Sequence, residues 1–234
     1  MFDFSVFTNA EWVAIGLSLK VSLLCALLSL CPAMAIAYAM ARYDFRGKSL
    51  IEGFIHLPLV MPPVTTGYLL LLLLGTRSFV GNWLLHTFGI RLAFSFYSAV
   101  IAAIVVSFPL MVRSMRTALE MVDSGLEDAS QILGVGKIRT FFNVTAPLAL
   151  PGILSGGILS FARSLGEFGA TISFAGNIAG ETRTLPLAIY AYMQIPGREN
   201  ATIRLVMVSV LISFLAMAVS EWYLRRMKTA RRHT

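Results

Sequence analysis

Cysteine is almost missing from this sequence of 234 residues: Cys25 and Cys31 are its two, both inside an apolar run. That excludes a disulfide framework and gives a metal site no paired ligands, so both are expected to be packing residues. Charge is nearly as scarce, at 13% of residues against 57% apolar, where a soluble domain carries about 25% charged residues. The three histidines, His56, His86 and His233, stand apart from one another and lack the neighbours of a metal centre, so each is expected to be structural or exposed. No nucleophile with a base, acid pair or metal cluster falls within the apolar stretches, which argues against an intramembrane enzyme. Gly134-Val135-Gly136-Lys137 lacks the G-x-x-x-x-G-K-[ST] spacing of a phosphate loop and follows no strand. The chain is therefore expected to hold no nucleotide and no cofactor, and energy must come from a partner. Internal repeats and low-complexity segments are also missing.

What the chain has instead is long apolar runs, with a mean hydropathy of +0.76. Five of them reach the ~20 residues needed to cross a bilayer: approximately Trp12 to Ala41, Leu50 to Gly75, Leu92 to Val112, Pro147 to Ser164 and Ile203 to Leu224. Lipid offers no partner to an exposed backbone, so each should be a helix, and the fold class is an all-α polytopic bundle forming one domain over 1–234. The first run, about 30 residues or about 45 Å of helix, must tilt or project beyond the bilayer, with Lys20 snorkelling outward. It lacks the basic start of a cleavable signal and is expected to be retained as a span.

The net charge of +7 need not mean nucleic acid, because Lys and Arg in such a chain first report topology. Arg42, Arg46, Lys48, Arg113, Arg116, Lys137, Arg139, Arg225, Arg226, Lys228, Arg231 and Arg232 follow the first, third and fifth spans, whereas the opposite segments carry Arg77, Arg91, Arg183 and Arg198. Twelve cations against four put the amino terminus outside and the carboxyl terminus in the cytoplasm. An outer loop, about 169–200, contains Leu185 to Met193, too short to span and expected to be a re-entrant or interfacial helix.

The cytoplasmic loop at about 117–147 holds the strongest local signal. In Ser124-Gly125-Leu126-Glu127-Asp128-Ala129-Ser130-Gln131-Ile132-Leu133-Gly134, Ser124 and Glu127 have the spacing of a capping box, and Gly134 is a natural stop. Leu126, Ala129 and Leu133 share a helical face, with Ile132 beside them. A helix of about nine residues is below the ~12 to 15 at which isolated helices become even marginal in water, so it needs a partner surface: another protein or the chain's own spans.

Other motifs concern the path through the membrane. Pro58, Pro62 and Pro63 remove backbone donors inside the second span, which must kink or open there. With Thr65, Thr66 and Gly67 they form a stretch that can line a pathway, hinge a gate or merely bend a helix. Arg163 and Glu167 have i, i+4 spacing and can offset each other's desolvation. Counting along the span places them about 24 and 30 Å from Pro147, near the outer boundary, as a gate element or an interfacial structural pair. Gly166 and Gly169 bracket Glu167 and permit close helix approach.

Asp128-Ala129-Ser130, then Gly134, then Val144-Thr145-Ala146-Pro147 resemble the Glu-Ala-Ala, Gly, Ile-x-Leu-Pro loop of ABC-importer permeases. Asp128, Ser130 and Ala146 depart from it. Further words resemble the molybdate permeases of that family: His56 to Val64 with Gly67-Tyr68, Ser107 to Arg113, Phe161 to Thr171, and Gly180 to Thr184. Sulfate permeases share looser forms of them.

The resemblance implies a type I importer fold in the inner membrane and two copies forming the path. It also implies cytoplasmic nucleotide-binding ATPase subunits holding ATP and Mg, and an extracytoplasmic oxyanion-binding protein that delivers the cargo. On that reading Glu127, Asp128, Ala129, Ser130, Leu133, Gly134 and Pro147 belong to the coupling surface. Pro58, Pro62, Pro63, Thr65, Thr66, Gly67, Arg163, Ser164, Glu167 and Gly169 belong to the path or gate. Sulfate or tungstate is the alternative cargo. An ion-coupled carrier acting alone is a rival, although it would want carboxylates near the middle of the bilayer.

Overall fold

A computed structural model describes residues 7–230, and side chains as far as residue 222 save for 220. The described residues form eleven α-helices and one π-helical turn. The first, α1 (Asn9–Arg42), starts from a capping box in which Thr8 and Glu11 satisfy each other's backbone N–H groups, and it runs through Pro32 for 34 residues. Next come α2 (Lys48–Val60), α3 (Pro63–Leu74), α4 (Phe79–Phe88) and α5 (Phe96–Glu120). The loop helix α6 (Ser124–Ile132) leads through α7 (Lys137–Thr140) and the π-helical turn Phe141–Thr145 into α8 (Ala146–Leu165). Short α9 (Gly169–Phe174) and α10 (Leu185–Met193) precede the terminal α11 (Glu199–Ala230).

Four helical stretches are long and apolar enough to cross a membrane, and a fifth span exists if α2 and α3 count as one. The centre of the molecule is the bundle of α1, α5 and α8. Ala33 and Ala37 of α1, Met111, Val112, Met115 and Leu119 of α5, and Ala149 and Ile153 of α8 form its main cluster. Small residues let the backbones approach, which drives association where lipid is as apolar as leucine. Hydrogen bonds join the same seam: Cys25 Sγ lies 3.1 Å from Ser107 Oγ, and the Ser160 hydroxyl donates to Ser107 Oγ at 2.9 Å. Cys31, by contrast, is exposed.

The second apolar run opens at its prolines as expected, into two helices bent by 113° at Met61 and Pro62, because Pro62 and Pro63 both lack a donor and Pro62 disfavours helical geometry at Met61. Other details differ from the expectation. Pro58 lies inside α2 without ending it. The third span starts at Phe96 and extends to Glu120, so Arg113 and Arg116 lie on the helix rather than beyond it; long side chains carry their charge past the apolar zone. The short apolar piece Leu185 to Met193 forms α10 with the expected bounds, and it packs against the long helices. Leu185, Ala188 and Tyr192 are buried with Ala14 and Ile15 of α1 and Leu205 of α11. Beside it, Arg204 of α11 reaches the fully buried Glu11 at 2.9 Å. Arg231, Arg232 and His233 lie outside the described residues, as do the side chains of Arg225, Arg226 and Lys228.

Candidate coupling surface and intramembrane gate

The loop helix α6 is capped by Asp123, one residue earlier than the sequence pattern suggests, through a 2.9 Å bond from the Gly125 N–H. Ser124 is thus the first helical residue. Its stop is as expected: Gly134 has φ of +84°, and the N–H groups of Gly134 and Val135 donate to the carbonyls of Gln131 and Ser130 at 3.0 and 3.1 Å. This pair of reversed bonds is the Schellman closure that only a left-handed residue permits without strain.

Glu127 faces inward instead of closing a capping box. Its Oε1 is 2.7 Å from Arg42 Nη2 and accepts from the Thr145 hydroxyl at 2.6 Å, while Arg42 also donates to the Val122 carbonyl at 3.1 Å. The opposite side of α6 is open. Leu126 is 49% exposed, Ile132 85% and Leu133 83%, and Ala129 and Asp128 are exposed as well. The chain's own spans therefore leave this apolar face uncovered. Ser130 is half-buried and pairs with Thr140 at 3.1 Å, which holds α6 against α7. Pro147 is the second residue of α8, directly after the π-helical turn.

A second set of candidates meets where two helices break inside the bundle. Ser160 is bonded to Ser107, the twelfth residue of α5, and Phe174 accepts from the Phe94 N–H just before α5 begins. The break between α8 and α9 therefore lies alongside the first half of α5. Glu167 is 3% exposed, with Oε2 2.8 Å from Arg163 Nη1 and Oε1 accepting from the Ala170 N–H at 2.9 Å, so both carboxylate oxygens are used. Ser164 donates to the Phe161 carbonyl at 2.8 Å, serving the end of its own helix.

Across from this break runs α3. A Cβ at Gly67 would lie 2.8 Å from the Ala170 Cα, and one at Gly169 would lie 2.7 Å from Pro63 Cβ. Glycine on both sides is what allows the start of α3 to touch the start of α9. Thr66 is buried at 5%, Thr65, Pro62 and Pro63 are exposed, and Pro58 is half-buried. The structure thus brings Pro63 and Gly67 together with Gly169, and Glu167 lies within three residues of the Ala170 contact. It places Pro58 further back on α2.

Reading the sequence missed Arg42, Asp123 and Thr145 as parts of the loop's support. Arg42 was visible as the first cation after the long apolar run, and Thr145 as a polar residue just before Pro147, but nothing in the spacing joins them to Glu127. Among the described residues no group of three or more His, Cys, Asp or Glu side chains could hold a metal ion.

Comparison with known proteins bears on this geometry. Residues 33–229 match the family described as binding-protein-dependent transport system inner membrane component. The chain is 52% identical to the molybdenum transport system permease protein ModB of Escherichia coli strain K12, over 94% of this chain and 96% of that one. It is 51% identical to the Haemophilus influenzae protein of the same description, over 93% and 95%. Its fold is similar to a chain of a bacterial ABC transporter that imports the polysaccharide alginate, with a TM-score of 0.74 and 15% identity over 94% of this chain and 80% of that one.

Proposed function

This chain belongs to the binding-protein-dependent transport system inner membrane components, a family of transport permeases, and from that premise we propose that it forms the membrane path of an ATP-driven importer of molybdate. The observation that carries the coupling role is the open apolar face of α6, held rigidly by the buried Glu127 on its other side. A nine-residue helix with exposed Ile132 and Leu133 is suited to a cleft on a soluble partner, and the reading assigns that cleft to a separate ATPase subunit carrying ATP and Mg. Cargo identity rests on the 52% identity to a molybdenum permease over nearly the whole chain.

In this scheme two copies form the path, with amino termini outside, and an extracytoplasmic protein captures the oxyanion and releases it into the path. Closure of the ATPase dimer moves α6 as a lever attached by short links to α5 and α8. The path side of the device is the contact of α3 with α9, where Pro63 meets Gly169 and Gly67 meets Ala170; the reading assigns Pro62, Thr65 and Thr66 beside it, and the Arg163–Glu167 pair, to the same gate. With Arg163 held by Glu167, the path offers little free positive charge. A weak site suits a permease that must release the anion it accepts, selectivity being left to the delivery protein.

Competitive uptake of labelled molybdate against sulfate and tungstate, in cells with and without the chain, tests the reading. Loss of molybdate uptake with sulfate uptake unchanged is expected. Equal loss of sulfate uptake overturns the cargo, and uptake in vesicles without an ATPase subunit overturns the energy source.

A further inference from the structure

We propose that Arg42, Glu127 and Thr145 form a latch that makes the cytoplasmic end of α1 part of the coupling lever, so that the first span moves with α6. The proposal rests on the coupling role assigned above to α6. Along the backbone α6 is close to two spans: three residues separate it from α5, and the connection to α8 runs through α7 and the π-helical turn. It has no such link to α1, whose end is separated from the start of α6 by 81 intervening residues. Their connection is made by side chains. Arg42 gives Nε at 3.2 Å and Nη2 at 2.7 Å to one oxygen of Glu127, and the same Nη2 reaches the Val122 carbonyl. Thr145, at the junction of the π-helical turn and α8, donates to that same carboxylate oxygen at 2.6 Å. One oxygen thus collects α1, α6 and the start of α8.

The latch is built to stay closed while the lever moves. The Arg42 and Glu127 side chains are 14% and 10% exposed, and separating a buried pair leaves each charge without its partner in a poorly solvated place. Arg42 also sits one turn beyond Tyr38, whose ring packs edge-on against Phe141 at 5.1 Å, so an apolar contact reinforces the same joint. The other cytoplasmic ion pairs differ. Lys48–Asp44 joins neighbours in sequence, and Arg116 binds Glu52 and Glu120, which are 43% and 44% exposed. Neither touches α6.

The test compares wild type, Arg42→Glu, Glu127→Arg, the double exchange and Thr145→Val, each reconstituted in liposomes with the ATPase subunits and the delivery protein. Molybdate taken up per ATP hydrolysed is the readout, because a residue needed merely for folding lowers both in proportion. Each single reversal is expected to lower this ratio about tenfold, with substantial recovery in the double exchange, as for directly coupled charges. Thr145→Val, which keeps size and removes the donor, should lower the ratio by less. An unchanged ratio in assembled single variants, or a double exchange no better than either, overturns the latch. A reversal that fails to assemble is decided by Thr145→Val, whose ratio must fall if the latch exists. Should the wild-type complex show no molybdate-dependent coupling, the functional reading itself fails, separately from the latch.

Discussion

Two arginine–glutamate pairs with contacts of 2.7 and 2.8 Å serve opposite kinds of joint. Arg163 and Glu167 are one helical turn apart, and their bond spans the end of α8, where Glu167 also anchors the start of α9. Arg42 and Glu127 are 85 residues apart and, with Thr145, tie together α1, α6 and the start of α8. The first pair bridges the break between α8 and α9; the second, in the proposed scheme, keeps the lever in one piece. The same chemistry can therefore serve a break or a joint, according to whether it bridges neighbours in sequence or neighbours in space.

The largest expected effect separates the two pairs. Arg42→Ala strands a buried carboxylate with a single hydroxyl donor and should destabilise the protein by about 3–5 kcal/mol, read as a drop in Tm in lipid nanodiscs. Arg163→Ala should cost on the order of 1–3 kcal/mol, since Arg163 is 31% exposed and Glu167 keeps the Ala170 N–H. Equal losses would erase the distinction. Gly67→Ala probes the gate joint that the local pair supports: its methyl group meets the Ala170 backbone, so about 1–3 kcal/mol and a loss of uptake are expected. Normal uptake would remove the α3–α9 contact from the gate.

Gly134→Val probes the lever side. Forcing a branched residue to φ of +84° costs about 1–2 kcal/mol, too little to clear the protein from the membrane yet enough to disturb the end of α6. ATP-dependent uptake should be lost while membrane levels persist, and unchanged uptake would sink the coupling role. The smallest effect belongs to the exposed Lys48–Asp44 pair. The Lys48 ammonium holds the Asp44 carboxyl below its usual range. Any stability it adds is present at neutral pH and fades as pH falls through that lowered value. Asp44→Asn should leave both Tm and uptake unchanged, and a measurable loss would show that burial is not what separates the strong pairs from the weak.

Much of this architecture was legible along the chain. Spans one and four were placed within three residues of α1 and α8, and span five within six of α11, because lipid forces long apolar runs to satisfy their own backbones. The stop of α6 was visible in Gly134, whose left-handed geometry is a property of one residue. The start was misread because Ser124 and Glu127 mimic a capping box, whereas Asp123 took the cap and left Glu127 for Arg42. The prolines announced a break in the second span but not its angle, which depends on α3 finding Gly169 and Ala170 across the bundle.

The sequence by itself determined that the chain is a bundle of membrane-crossing helices interrupted by one short amphipathic helix, since hydropathy, caps and prolines act within a turn or two of backbone. Only the tertiary structure decided which charges are joined, that Glu167 is buried, and that α6 turns its Glu127 carboxylate inward and its leucine and isoleucine outward. Those outcomes follow from burial and distance between segments far apart in the chain, and a buried charge takes whatever partner the packing brings within reach.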